Sequence, residues 1–338
     1  MKIAIHHREG SFSDRWIAYC KENGIEYKLV NAYDSDIIQQ MEGCDAFMWH
    51  FHQADYRDMQ IAKALILSLE AKGVRCFPNC QTCWHFDNKV WEKYLLEAVG
   101  APLIPSYVFY TEKEALDWAM KTKFPKVFKL KGGAGASNVK LAHTQKKAER
   151  LIKQCFGKGF SQYRWQDHLK EEWRKYKEKK ATLRELLRPV YYALKRYPTV
   201  FSHYHQKEIG YAYFQDFIAD NHSDYRIKVV CGNCWGFQRM VRENDFRASG
   251  SGNLYFDNSK IPMKLVKLSQ DIARRLQIQS VAFDFLYDKN IEQFLVVEMS
   301  FGFGYDERES GNGYWDVQGV FHPEFFNPFD WMVEGLIK

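Results

Sequence analysis

Residues 1–85 alternate short apolar runs with helix-period segments, and this order narrows the fold more than any other feature. KIAIHH, IEYKLVNA, CDAFMWHFH and VRCFPN read as strands. SFSDRWIAYCKENG reads as a helix closed by Gly24, a short helix precedes Gly43, and DMQIAKALILSLEAKG reads as a third. Strict alternation implies a parallel sheet with helices on its faces. Ligands of such sheets sit beyond the carboxyl ends of the strands. Here those ends carry His6, His7, His50 and His52.

The pattern then changes. DNKVWEKYLLEAVG predicts a helix and APLIPSYVFY an extended connection, and Thr111 with Glu114 forms a capping-box signal for the next helix. VFKLKGGAGASNVKLA follows, with glycines between two apolar runs and Lys129 and Lys131 just upstream. A Walker A loop needs Gly-Lys-Ser/Thr after the glycines, which this stretch lacks. A dinucleotide fingerprint needs a helix after them, whereas Asn138-Val139-Lys140-Leu141-Ala142 reads as a strand. The loop therefore joins two strands. It is either a plain hairpin turn or a phosphate flap that binds through backbone N–H groups and lysines.

At 338 residues, 46% hydrophobic and 27% charged, the chain has the composition of a multi-domain globular protein. No apolar run approaches the roughly 20 residues of a membrane span. The start turns polar too soon for a signal peptide, so a cytoplasmic address and reduced thiols are expected. Cys80-Gln-Thr-Cys83-Trp-His85 and Cys231-Gly-Asn-Cys234 have zinc-like spacing. Each also has a plain reading: a helix start capped by Asn79, and a hairpin turn at Gly232-Asn233.

Residues 157–208 are basic and aromatic, helical in period and interrupted by Pro189 and Pro198, and read as an insertion. They hold 13 Lys and Arg against 6 Asp and Glu, so the chain's +6 excess lies here and the remainder is nearly balanced. A solvated amphipathic hairpin accounts for such a charge run. Trp165, Trp173 and Tyr176 among the lysines leave nucleic-acid stacking as the rival, although no nucleic-acid partner is expected. Beyond it, DYRIKVV pairs with WGFQRMV and SVAFDFLYD with QFLVVEMS. Period-2 alternation puts Val281, Phe283 and Phe285 on one face, leaving Asp284 and Glu298 to share the other.

Lysine strand, glycine hairpin and a late strand pair with acids, in that order, resemble the ATP-grasp superfamily from about Asp87 to Gly304, the insertion excepted. The likeness is strongest to its ribosomal-protein-modifying glutamate ligases, and more distant to glutathione synthetase and D-alanine–D-alanine ligase. It implies an α/β fold, α+β in the C-terminal half: a parallel-sheet domain (1–85), a central subdomain with the glycine lid (86–156), the insertion (157–208), a C-terminal subdomain (209–304) and an extension (305–338). The two α+β subdomains would clamp ATP.

The resemblance places Lys89, Lys129 and Lys131 on the ATP phosphates, with Gly133, Gly135, Ala136 and Ser137 draped over them. Gln215, Asp216, Phe217 and Ile218 match the hinge that meets adenine, and Asp224 would face the ribose. Arg247 matches the arginine at the transferring phosphate, with Arg226 and Asn253 on the acyl-phosphate side. Asp284, Glu298 and Ser300 would hold Mg2+, or Mn2+ in its place. The family has Asn where this chain has Ser300, which weakens metal binding rather than removing it.

The implied reaction is ATP-dependent carboxylate–amine ligation through an acylphosphate, on an unidentified and anionic substrate pair. A kinase on the same fold and a nucleotide-binding protein with weakened catalysis stay open as alternatives, and a homo-oligomer is compatible with all three.

Overall fold

In the computed structural model, β1 (Lys2–His6), β2 (Glu26–Val30), β3 (Ala46–Trp49) and β4 (Arg75–Phe77) form one sheet ordered β2-β1-β3-β4. Every pairing in it is parallel. The helices α1 (Phe12–Glu22), α2 (Ile37–Gln40) and α3 (Tyr56–Ala71) are the crossovers. β3 is buried along its whole length, which is why its sequence is an unbroken apolar run and does not alternate. The structure describes residues 1–133, 138–161, 169, 172–174, 176–177, 181–194, 204, 206–242, 247–248, 250 and 252–338. Among them no helix is long and apolar enough to cross a membrane.

The chain divides into two compact units: residues 1–52, 57–104 and 218–338, and residues 53–56 and 105–217. The first unit holds the parallel sheet, the short helix α4 (Cys80–Cys83), α5 (Lys89–Ala98) and a second, seven-stranded sheet. The main path of that sheet runs β13 (Gln293–Ser300), β12 (Ser280–Asp288), β9 (Ser223–Val230), β10 (Asn233–Met240), β14 (Tyr314–Trp315), β15 (Phe321–His322), and β11 (Leu254–Tyr255) pairs with β10. Ile227, Val229, Val281, Phe283 and Phe285 bury one face against the helix Met263–Leu276. The other face is left for the charges described below.

The segment 305–338 belongs to this unit's core. Its closing helix, Pro328–Ile337, buries Phe329, Met332, Val333 and Leu336 with Ile3 and Ile5 of β1, Trp16 of α1 and Trp235 of β10.

The second unit is built on β5 (Ser106–Phe109), β6 (Lys126–Lys129), β7 (Val139–Ala142) and β8 (Ala212–Asp216), ordered β5-β8-β6-β7 and antiparallel throughout. Helices α6 (Glu112–Lys121) and α7 (Gln145–Phe156) bury Ala115, Ala119, Leu151 and Ile152 against Phe128 and Phe214 of the sheet. The 157–208 segment leaves and rejoins this body at one point, because Phe160 and Glu208 exchange two backbone hydrogen bonds of 2.8 Å.

Two local expectations need correction. The β9–β10 turn is Cys231-Gly232, one residue earlier than Gly232-Asn233, since Asn233 pairs with Val230. Cys231 (φ 49°) and Gly232 (φ 86°) take the left-handed pair of conformations such a hairpin demands, and the Cys231 thiol donates to the Trp331 carbonyl at 3.3 Å. Pro189 does not interrupt a helix but sits inside one, Leu183–Leu194, where the lost N–H bond is outweighed by continuation of the amphipathic face that buries Leu186. Pro198 lies outside the described residues. Asn79 caps α4 as expected, accepting the Thr82 N–H at 2.8 Å.

Candidate active site

Period-2 geometry gathers alternating charges on the face of the second sheet that does not pack on the helix Met263–Leu276. Glu298 lies opposite Asp284, Asp284 opposite Arg226, and Asp224 opposite Arg239. Asp284 accepts from Arg226 Nε and Nη2, both at 2.7 Å, in a fork-to-fork pair. Arg239 binds Asp224 with Nε at 2.7 Å and Nη2 at 2.6 Å, and its Nη2 also lies 2.7 Å from Asp284 Oδ2. Asp224, Asp284 and Arg239 are buried. Burial pushes the Asp284 carboxyl upward, but the guanidiniums of Arg226 and Arg239 outweigh it and hold the group well below the usual range. Among the described residues Asp224 is hydrogen-bonded by Arg239 alone and feels the Asp284 charge, so burial wins and pushes it up to about 6.

A register shift between Asp284 and Phe285 leaves Val297 as an extra residue in β13. Such bulges re-aim the side chains beside them. Glu298 and Ser300 lie beyond it on one face, with Ser300 opposite Ala282. The Glu298 side chain is about one-third exposed, and the Lys89 Nζ stands 4.0 Å from its Oε2. Lys89 opens α5 behind the cap Asn88, which accepts the N–H groups of Val90 and Trp91. One turn on, buried Glu92 accepts the Met299 N–H at 3.4 Å. Burial pushes Glu92 up to about 8 against the pull of Lys89, so it is mostly protonated at neutral pH.

Asp284, Glu298 and Ser300 offer oxygens, but Arg226, Arg239 and Lys89 balance Asp224, Asp284 and Glu298 in charge. Among the described residues, no group of three or more His, Cys, Asp or Glu is arranged to hold a metal by itself. Both Asp284 oxygens are already bonded to Arg226 and Arg239, and Glu298 is the more open carboxylate, so the near-neutral cluster suits a hard cation only where that cation brings anionic ligands of its own.

The loop from Val241 to Asn253 is closed by backbone bonds: Arg242 N–H to the Arg247 carbonyl at 3.1 Å, and Met240 N–H to the Asn253 carbonyl at 3.0 Å. Arg247 and Asn253 are thereby tethered to the end of β10, in the same unit as Asp284.

In the second unit, Lys129 is buried on β6 and its Nζ donates to Gln215 Oε1 at 2.6 Å. Gln215 in turn donates to Ser106 Oγ at 3.1 Å. Lys126 pairs with Asp216 across the same strands. Lys131 is half-exposed with its Nζ 3.4 Å from Glu208, and its backbone N–H donates to the Tyr211 hydroxyl at 2.7 Å. Gly133 has φ 105°, the left-handed region that favours glycine. Gly135, Ala136 and Ser137 lie outside the described residues. Phe217 ends this unit, and Ile218 begins the last segment of the other.

No protein-family model matches the sequence, and no curated protein matches it either. Solved structures do match. A RimK-domain ATP-grasp protein from Sphaerobacter thermophilus aligns over 100% of this chain and 99% of its own, with a TM-score of 0.57 and 14% identity. D-alanine–D-alanine ligase from Bacillus anthracis aligns over 100% and 97%, with a TM-score of 0.58 and 12% identity. The ATP-grasp ligase PsnB, complexed with a minimal precursor, aligns over 99% and 98%, with a TM-score of 0.56 and 10% identity.

The fold is ATP-grasp.

The structure adds three residues that sequence reasoning did not single out. Arg239 has a recoverable signal: it is a cation on a strand of mostly apolar residues, in register with Asp224. Lys126 stands three residues before Lys129 on β6, hence on the opposite face, in register with Asp216. Glu92 has no such signal, because an acid on an amphipathic helix reads as solvated until the helix is packed.

Proposed function

We propose that the chain is an ATP-dependent carboxylate–amine ligase. The observation that carries this reading is the Asp284–Glu298 pair, two carboxylates set opposite each other and flanked by Arg226 and Lys89. Such a group can accept a phosphate-borne cation and the phosphates together. Lys129, Gln215 and the main chain of residues 215–218 are suited to the remaining nucleotide contacts, with Lys131, Gly133, Gly135, Ala136 and Ser137 over the phosphates and Arg247 and Asn253 toward the transferring group. A D-alanine–D-alanine ligase of this fold has been solved with ATP.

In the proposed reaction, a substrate carboxylate oxygen attacks the γ-phosphorus, the bond to ADP breaks, and an acylphosphate forms. The amine then attacks the acyl carbon, the C–O bond to phosphate breaks, and the amine's proton leaves. When bound, Mg2+ supplies countercharge to the phosphates. Lys89 and Arg247 orient the transferring group, and fixed cations in a site closed to water lower the barrier most.

Lys129→Met and Glu298→Gln test this reading. Each should abolish ADP formation in a substrate screen while thermal unfolding stays cooperative. Undiminished ADP release by both variants would sink it. Equal yields of ADP and phosphate, dependent on an added amine, separate ligation from transfer to a hydroxyl. Ser300 favours a weaker second reading, a protein that binds ATP without turning it over; Ser300→Asn would then raise ADP release from near zero.

A further inference from the structure

The first unit contains a cleft of about 1100 Å3 beyond the carboxyl ends of β1 and β3. Arg8 and Phe12 line one side, the Gly302–Arg308 segment that leaves β13 lines another, and His50 stands among them.

The His50 ring stacks on Phe12 at 3.6 Å and 6°. Its Nδ1 lies 3.3 Å from the Phe12 backbone nitrogen, whose hydrogen it accepts. A backbone N–H can only donate, so Nδ1 carries no proton and the ring's single hydrogen sits on Nε2. Burial, reinforced by the charge of Arg8, pushes His50 down to about 3, so the ring stays neutral. Nε2 has no hydrogen-bond partner among the described residues. It lies 3.8 Å from where a Cβ on Gly302 would stand, and Gly302 is another residue of the cleft. His50 is therefore a fixed N–H donor.

The start of α1 offers no competing donor. The N–H groups of Ser11, Phe12, Ser13 and Asp14 are bonded to the Arg8 carbonyl, His50, Ser11 Oγ and the Ser11 carbonyl. Arg8 keeps donors to spare: its Nη1 makes one loose 3.6 Å contact with Asp58, whose carboxylate already accepts from Tyr33 and, at 2.6 Å, from the His52 N–H. The acids in the lining are Asp14, which accepts the Gly10 N–H at 2.8 Å, and Glu307. Arg15 and Arg308 also line the cleft, but Arg15 is held by Asp330 and Glu22 and Arg308 by Asp306. The Arg8 guanidinium with one neutral donor matches a monoanion, and the two acids disfavour a dianion such as phosphate. Phe303 and Phe329 supply apolar wall.

We propose that this cleft binds a carboxylate carried on an aromatic or apolar body, with Arg8 and the His50 Nε2–H donating to its oxygens. Only the fate of that carboxylate, its activation, rests on the ligase reading; binding does not require ATP.

Phenylacetate titrated into the nucleotide-free full chain tests the proposal. In spectra of protein labelled with 15N-histidine, His50 should show the Nε2–H tautomer, and phenylacetate should shift its signal at the millimolar level usual for a fragment. Phenylacetate affinity should fall about ten-fold in Arg8→Gln, the loss of one charge-assisted hydrogen bond, and much less in Arg8→Lys. Phenethylamine should not bind. The opposite tautomer, an unmoved His50 signal, equal binding by Arg8→Gln or equal binding of the amine would overturn it. MgATP titrated into the same samples reads the nucleotide residues separately, so failure of the ligase reading would leave phenylacetate binding intact.

Discussion

Arg239 Nη2 stands 2.7 Å from Asp284 Oδ2, while the same guanidinium grips Asp224 through Nε at 2.7 Å. One buried cation thus joins two buried acids on two strands and fixes where the Asp284 carboxylate points. Such a group is costly to desolvate and costlier to leave unpaired.

Arg239→Met should therefore cost about 3–5 kcal/mol of stability, since it strands two carboxylates. Arg239→Lys should lose less, because it keeps the charge but not the fork. Urea denaturation reads both; a loss below about 1 kcal/mol for the methionine variant would mean that Arg226 alone suffices for Asp284.

Glu92 gives a pH signature. Its folded value of about 8 lies above its ordinary 4.5. Between the two, the unfolded chain has released the proton and the folded chain keeps it, so stability falls as pH rises through that window and levels off above it. Glu92→Gln has no proton to lose, and its stability should vary less over the same range. Parallel curves for the two proteins would show that the carboxyl titrates normally.

The charge balance around Asp284 and Glu298 predicts dependence of metal on nucleotide. Calorimetry with MgCl2 alone should give no binding heat, whereas ATP should bind at least ten-fold more tightly with Mg2+ than with EDTA. Tight binding of free Mg2+ would contradict the near-neutral cluster.

Lys228 is fully buried, and its Nζ donates to Glu309 Oε1 at 2.7 Å, to Glu309 Oε2 at 2.6 Å and to the Gly304 carbonyl at 2.7 Å. It ties the segment lining the cleft to the strand carrying Arg226. Lys228→Met should destabilise by about 3–5 kcal/mol, and Lys228→Met with Glu309→Leu should recover much of that loss, as paired replacement of a buried ion pair does. Additive losses in the double variant would rule out the pair as the cause.

Because Phe160 and Glu208 already bond to each other, residues 161–207 should be replaceable by an Asn-Gly turn. The variant should unfold cooperatively and bind MgATP like the parent, although it loses the Tyr204 stack on Tyr56 at 4.3 Å. Loss of a cooperative transition would show that the segment is part of the second unit's core.

The amino-acid sequence alone determined the elements whose signals are local. The parallel strands, the caps at Asn79 and Thr111, the two-strand glycine connection, and the shared face of Asp284 and Glu298 follow from periods of 2 and 3.6 and from the side chains beside them. Tertiary structure decided what depends on partners far along the chain. It inserted β8 between β5 and β6, folded residues 305–338 into the first unit's core, and met Asp284 with Arg226 and Arg239 from two other strands. It also turned Glu92 into a protonated buried acid and His50 into a donor with one tautomer. Periodicity tells which face a residue occupies. Which charge or ring faces it is set by strand order and packing, and those are properties of the whole chain.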